Sequence, residues 1–326
     1  MLIESVHYAV TFKVHHILLA CFVALGSMTG CDKELEYDVP TAPPQLVVNS
    51  VFTQDSLWEI EVSNSANPGQ GATIQYLTDA EVKLWQNDKE VKDIVPKQET
   101  IIKMVGGEPQ DFVRHYYASE STEIEEGQEY RIEVRHPDYK MASSRAILPY
   151  PADISWRGLA TPNEIIDIDG KAFRKLTFNL KNNSPNEGFF AIQLLYGDGS
   201  EIHKIEFFAS DPIFNENQIF DEGDRTTEQG KIYDTNRGIF FSSQAFGGQQ
   251  HSFDIFVETQ YLDPAGTFEV RILTFSEELY DYSIALQRQQ NSSGNPFAEP
   301  VQVYSNINNG YGIFGGYALS TLPYVH

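Results

Sequence analysis

Beyond residue 44 the chain is a succession of short apolar runs that alternate with polar residues and are broken by Gly, Asn, Pro and Asp. In "AEVKLWQ", Val82 and Leu84 alternate with Glu81 and Lys83, the period of two expected of a strand with one buried face. Six further runs before residue 149 have the same character: "QLVVNSVF" from Gln45, "LWEIEVSN" from Leu57, "ETIIKMV" from Glu99, "VRHYYAS" from Val113, "EYRIEVRH" from Glu129 and "MASSRAIL" from Met141. Seven strands in about 100 residues predict an immunoglobulin-like or fibronectin-like sandwich over residues 45–148. A turn at Gly127 that feeds a strand beginning near Tyr130 fits this fold.

The stretch "LPYPADISW", with Pro149 and Pro151 and then Pro162, predicts a boundary, because proline cannot donate to a ladder and is common in linkers. Strand patterns resume in "FRKLTFNL" from Phe173, "GFFAIQLLYG" from Gly188, "IHKIEFFA" from Ile202, "GIFFSS" from Gly238, "HSFDIFVET" from His251 and "TFEVRILTF" from Thr267. One helix interrupts them over residues 277–290. Ser276 supplies an N-cap, Glu277 and Glu278 occupy the first turn, and Leu279, Tyr282 and Leu286 recur at helical spacing. "PVQVYSNI" and "GGYALST" read as closing strands. The fold class is therefore mainly β: an immunoglobulin-like sandwich over 45–148, then a second β-sandwich over 149–326 that carries one C-terminal helix.

The N-terminus breaks this pattern. An apolar run from Ile17 to Leu25 is too short to span a bilayer but suits the apolar core of a secretory signal. It leads to "GSMTGC", which looks like a bacterial lipobox, so residues 1–30 read as a lipoprotein signal peptide and Cys31 as the lipidated first residue of the mature chain. Cys21 would leave with the signal, and one remaining cysteine cannot form an internal disulfide. Residues 31–44, charged and then rich in proline, read as a tether.

Charge and motifs narrow the function. A formal net charge of -23 repels nucleic-acid phosphates, so nucleic acid is not expected as a partner. Gly310, Gly312 and Gly315 have the G-x-G-x-x-G spacing of a dinucleotide loop, but such a loop must leave a strand, open a helix and precede an acidic residue about 20 positions on. No acid follows Gly315, and Pro323 opposes a helix, so the glycines read as a turn between the last strands. No H-E-x-x-H, G-x-S-x-G, P-loop or C-x-x-C motif occurs; neither enzyme activity nor a cofactor is expected. Asp167 and Asp169 in "DIDG", with Asp221 and Asp224 in "DEGDR", are calcium candidates by residue type, though acidic solvent-facing loops explain them better. Tyr311, Phe314 and Tyr317 form a candidate contact surface, since exposed aromatics stack on sugars and anchor protein partners.

The helix start from Leu279 to Tyr282, "NPFAEPV" (Asn295 to Val301), "SNI" (Ser305 to Ile307) and "NGYGIFGGY" (Asn309 to Tyr317) together resemble the C-terminal signature of the domain-of-unknown-function 4249 lipoprotein family. "LVVNSVFT" after the tether and "FFASDPIF" (Phe207 to Phe214) extend the resemblance over nearly the whole chain. The resemblance implies an outer-membrane lipoprotein of Bacteroidota-type bacteria with no established enzyme activity, held by its lipid. Asp32, Glu34 and Glu36 with Lys33, directly after Cys31, resemble the short charged signals that send such lipoproteins to the cell surface, so the protein is expected to face the cell exterior. The family resemblance also implies an outer-membrane β-barrel partner, a TonB-dependent transporter, which the protein would serve in ligand capture or as a lid. The competing expectation is a free-standing adhesin for carbohydrate or host matrix.

Overall fold

The computed structural model describes residues 43–325 apart from 55, 66–74, 92, 120–122, 158–164, 216–225, 228–229, 235–237 and 293–300. The signal peptide, Cys31, most of the tether, Pro162, Asp221, Asp224 and all of "NPFAEPV" except Val301 lie outside the described residues.

In the first half the strands are β1 (Leu46–Phe52), β2 (Trp58–Asn64), β3 (Glu81–Gln86), β4 (Lys89–Val91), β5 (Val95–Val105), β6 (Glu108–Ser119), β7 (Glu129–His136) and β8 (Tyr139–Ile147). They pair as β1-β2-β6-β5 on one side and β4-β3-β7-β8 on the other. That is the immunoglobulin arrangement of an A-B-E-D sheet facing a C′-C-F-G sheet. Alternation drives the packing: in β1, Leu46, Val48 and Phe52 are buried, as are Trp58, Ile60 and Val62 in β2. Tyr130, at the start of β7, is fully buried, and its hydroxyl accepts from the Glu125 backbone N–H at 2.7 Å. This tyrosine corner closes the connection into β7.

The second half contributes β9 (Asp153–Trp156), β10 (Ile165–Ile168), β11 (Lys171–Lys181), β12 (Phe189–Gly197), β13 (Ile202–Lys204), β14 (Glu206–Ala209), β15 (Thr226–Thr227), β16 (Gly230–Asp234), β17 (Ile239–Ser242), β18 (Gln250–Glu258), β19 (Thr267–Phe275) and β20 (Gly310–Pro323). The run from Ile202 divides at Ile205: β13 pairs with β12, whereas β14 belongs to the facing sheet, β10-β11-β18-β14-β16-β15. Phe178, Leu180, Phe190, Ile192, Phe207, Phe214, Phe241 and Phe253 fill the space between the sheets.

The expected division at residue 149 does not divide the sheets. Gly310 to Gly316 of β20 pair in parallel with β1, and Tyr317 to Pro323 pair antiparallel with β19, so one sheet runs β13-β12-β19-β20-β1-β2-β6-β5 through both halves. The proline segment is also tied down: the Ala152 N–H donates to Thr274 Oγ1 at 3.2 Å, and Ser320 Oγ donates to the Ala152 carbonyl at 2.5 Å. Residues 43–326 form one compact unit.

Helix α1 (Glu277–Ser292) follows β19 as expected. Ser276 Oγ accepts from the Leu279 N–H at 3.4 Å, the reach of an N-cap to the third helical residue. The buried stripe is Leu279, Tyr280 and Ile284, with Tyr282 packed at its margin and Leu286 half-buried. It lies on Ile313 and Phe275 because Gly315 offers no side chain: a Cβ there would stand 2.8 Å from Leu279 Cβ.

Candidate functional site

The glycine run at the end of the chain is the interior of β20, not a turn between strands. Gly312, at φ 109°, brings its Cα so close to β1 that an added Cβ would meet the Val48 carbonyl oxygen at 2.1 Å. Glycine here reconciles an unusual backbone with a parallel partner strand. The segment "PVQVYSNI" forms no strand over its described residues, 301–307, yet Asn306 stands in for one. Its amide donates to the Phe314 carbonyl at 2.7 Å and accepts the Phe314 N–H at 3.0 Å.

The three aromatic contact candidates separate. Phe314 is wholly buried, with ring centroids 5.1 Å from Phe52 and 6.3 Å from Trp58, so its place among contact residues is corrected to the first sandwich core. Alternation decides this, because Phe314 and Ile313 point to opposite faces of a strand covered on both sides. Tyr317 is half-buried beside Phe275 in the cluster under α1. Tyr311 remains 46% exposed, its hydroxyl accepting from Gln45 Nε2 at 3.4 Å.

The "DIDG" stretch is the turn between β10 and β11. Asp169 and Gly170 both have positive φ, as a two-residue type I′ turn requires, and Asp167 Oδ1 accepts the Gly170 N–H at 3.1 Å. Turn formation accounts for these acids. Among the described residues no group of three His, Cys, Asp or Glu side chains is arranged to hold a metal ion.

That turn forms one lip of a cleft of about 210 Å³ at the end of the second sandwich. Ile168, Phe173, Ile205 and Phe207, each less than a tenth exposed, contribute its apolar lining. Asp169, Lys171, Lys204 and Glu206 are the exposed charges around it, with half-buried Glu258 and Tyr261. Lys171 Nζ bonds Glu258 Oε2 at 2.9 Å. An apolar floor with a few polar groups of both signs suits a small amphipathic group, although the volume falls below the roughly 300 Å³ where drug-sized sites begin. Four separated chain segments meet here, and no local pattern in the sequence marks them.

A second surface lies at the other end of the shared sheet. β5 and β6 pair from Val95↔Ala118 to Val105↔Glu108, but only Tyr117, Ala118 and Ser119 of β6 pair with β2 in the ladder. The remaining ribbon is an arm. Arg114 ties its base to β2, with Nη1 at 2.8 Å from Glu59, a further ion pair to Glu61, and Glu99 at 2.9 Å on the arm itself. Burial works against the Arg114 charge, but these carboxylates outweigh it and raise the guanidinium pKa. Beyond Arg114 the arm exposes Ile102 at 70% and Met104 at 67%, together with Phe112 and Val113. Both strands are recognisable in the sequence, but not their extension past the sandwich.

A family model, Domain of unknown function (DUF4249), matches residues 32–322. The chain belongs to this family. The family's match starts directly after Cys31 and ends within β20, so it takes in both sandwiches and the strand that joins them. No curated protein matches the chain.

Proposed function

We propose that the protein is a lipid-anchored accessory subunit of a TonB-dependent outer-membrane transporter, facing the cell exterior and working by ligand capture or as a lid, without catalysis. What supports this reading is how soon the compact body follows the lipobox-like "GSMTGC" in the sequence. β1 begins at Leu46 and is bonded on both edges, to β2 and β20, so 14 residues, Asp32 to Gln45, separate Cys31 from the middle of a sheet. At 3.3–3.6 Å per residue they reach about 50 Å at most, which would hold the body within that distance of the membrane in which a barrel partner sits. The cleft beside Lys171 and Lys204 supplies a capture surface on that body. Gentle detergent extraction of native membranes should recover a β-barrel transporter with the protein; recovery without any barrel overturns the reading. Labelled fatty acid should enter the parent chain and not Cys31→Ser.

The exposure of Tyr311 favours a second reading, a free-standing carbohydrate or matrix adhesin. Binding of the protein to a glycan or matrix array, abolished by Tyr311→Ala, would select it.

A further inference from the structure

The arm holds more strand than the body supports. A two-stranded ribbon alone is marginal in water, and this one exposes apolar side chains on both faces. β5 is also the last strand of the shared sheet, and among the described residues no strand pairs with its outer edge. The Gly106-Gly107 turn, with positive φ at both residues, makes Val105 and Glu108 a hydrogen-bonded pair. Backbone groups of Gln98, Thr100, Ile102 and Met104 therefore point outward, along an edge that natural sheets normally blunt.

We propose that this edge pairs with the same edge of a second copy of the chain, antiparallel about Ile101. In that register the outward residues oppose each other, Thr100 with Ile102 and Gln98 with Met104. Glu99 then faces Lys103 of the second copy, and two-fold symmetry makes the pair twice. Neighbouring registers lose this match. Centring on Thr100 sets Lys97 against Lys103, and centring on Ile102 sets Glu99 against Val105. Ile101 meets Ile101 of the second copy, and because Phe112 lies across from Ile101 within each arm, four apolar side chains form a stripe over four strands. Charge permits the contact. The chain carries -23, yet within the arm Lys97, Lys103 and Arg114 balance Glu99, Glu108 and Asp111. Antiparallel pairing leaves the acidic bodies at opposite ends of the ribbon, separated by more than the roughly 8 Å screening length at physiological salt.

The test uses full-length protein in native membranes and in detergent. Ile101→Cys should give a disulfide-linked dimer under mild oxidation, because it sits at a non-hydrogen-bonded pair on the symmetry axis. Val113→Cys, on the inner strand of the same arm, and the parent chain should not. Lys103→Glu and Glu99→Lys, each placing like charges opposite one another, should each weaken dimerisation about tenfold. Mixing the two variants should restore it, since each then supplies what the other lacks. The proposal is overturned by a monomeric parent with no Ile101→Cys cross-link, by equal cross-linking at Val113→Cys, or by variants that dimerise like the parent separately.

Discussion

β20 and β5 belong to one sheet, and judged by composition they would exchange places. β5 contains Val95, Thr100, Ile101, Ile102 and Val105, the β-branched residues that strands prefer, yet it is the exposed outer edge. β20 contains four glycines and a proline, residues that weaken strands, yet it lies between β1 and β19 with both faces covered at Ile313 and Phe314. The difference teaches that a strand's position here is set by what can approach it. Glycine at 312 admits a neighbouring backbone and glycine at 315 admits a helix, and neither would fit against the larger side chains of β5.

Substitutions in the two strands test that contrast. Phe314→Ala should have the largest effect, about 4 kcal/mol of lost stability by chemical denaturation, since it empties a site shared with Phe52 and Trp58. Gly312→Ala should cost about 3 kcal/mol, from the disfavoured φ and the Val48 carbonyl together. A loss under 1 kcal/mol there would mean that β20 does not depend on its close approach to β1. Away from both strands, Tyr130→Phe should cost about 1.5 kcal/mol, by leaving the Glu125 N–H without its partner. Ile102→Ser should change the stability of the monomer by less than about 0.5 kcal/mol, as for other exposed sites. A larger loss would place the arm inside the cooperative fold.

The smallest effect concerns pH at the helix that Gly315 admits. Glu278 is held above the ordinary carboxylate range, chiefly because burial disfavours its charge, with Glu277 and Asp281 adding repulsion. Its folded form thus holds the proton more tightly than its unfolded form, and this contribution to stability fades as pH rises through the folded pKa. Glu278→Gln should therefore gain stability relative to the parent as pH rises above the ordinary glutamate range, by roughly a few tenths of a kcal/mol. Parallel denaturation curves across that rise would remove Glu278 from the account.

Much of the architecture was legible because its signals are local. Period-two alternation located β1, β3 and β7, and Ser276 with Glu277 and Glu278 located the start of α1. Even the tyrosine corner was foreshadowed by Gly127 and Tyr130. Legibility failed where one residue changes sheet or a feature is assembled from distance. Ile205 carries the chain between sheets inside an unbroken strand pattern. Asn306 pairs with Phe314 through its side chain, which no backbone pattern reveals. The cleft unites residues from 168 to 261, and Phe314 reads as a contact residue until the strands on both sides of it are placed.

The sequence by itself determined the β character, the two strand sets, the helix and its cap, the acidic charge and the family, since each follows from neighbours a few residues apart. Only the tertiary structure decided that the two halves share a sheet, that Phe314 is core, and that β5 is left with an open edge. The first two depend on pairing between residues more than 250 positions apart, between β1 and β20, where backbone hydrogen bonds carry no side-chain signature. The open edge depends on β6 leaving its ladder with β2 beyond Tyr117 while β5 stays paired to it.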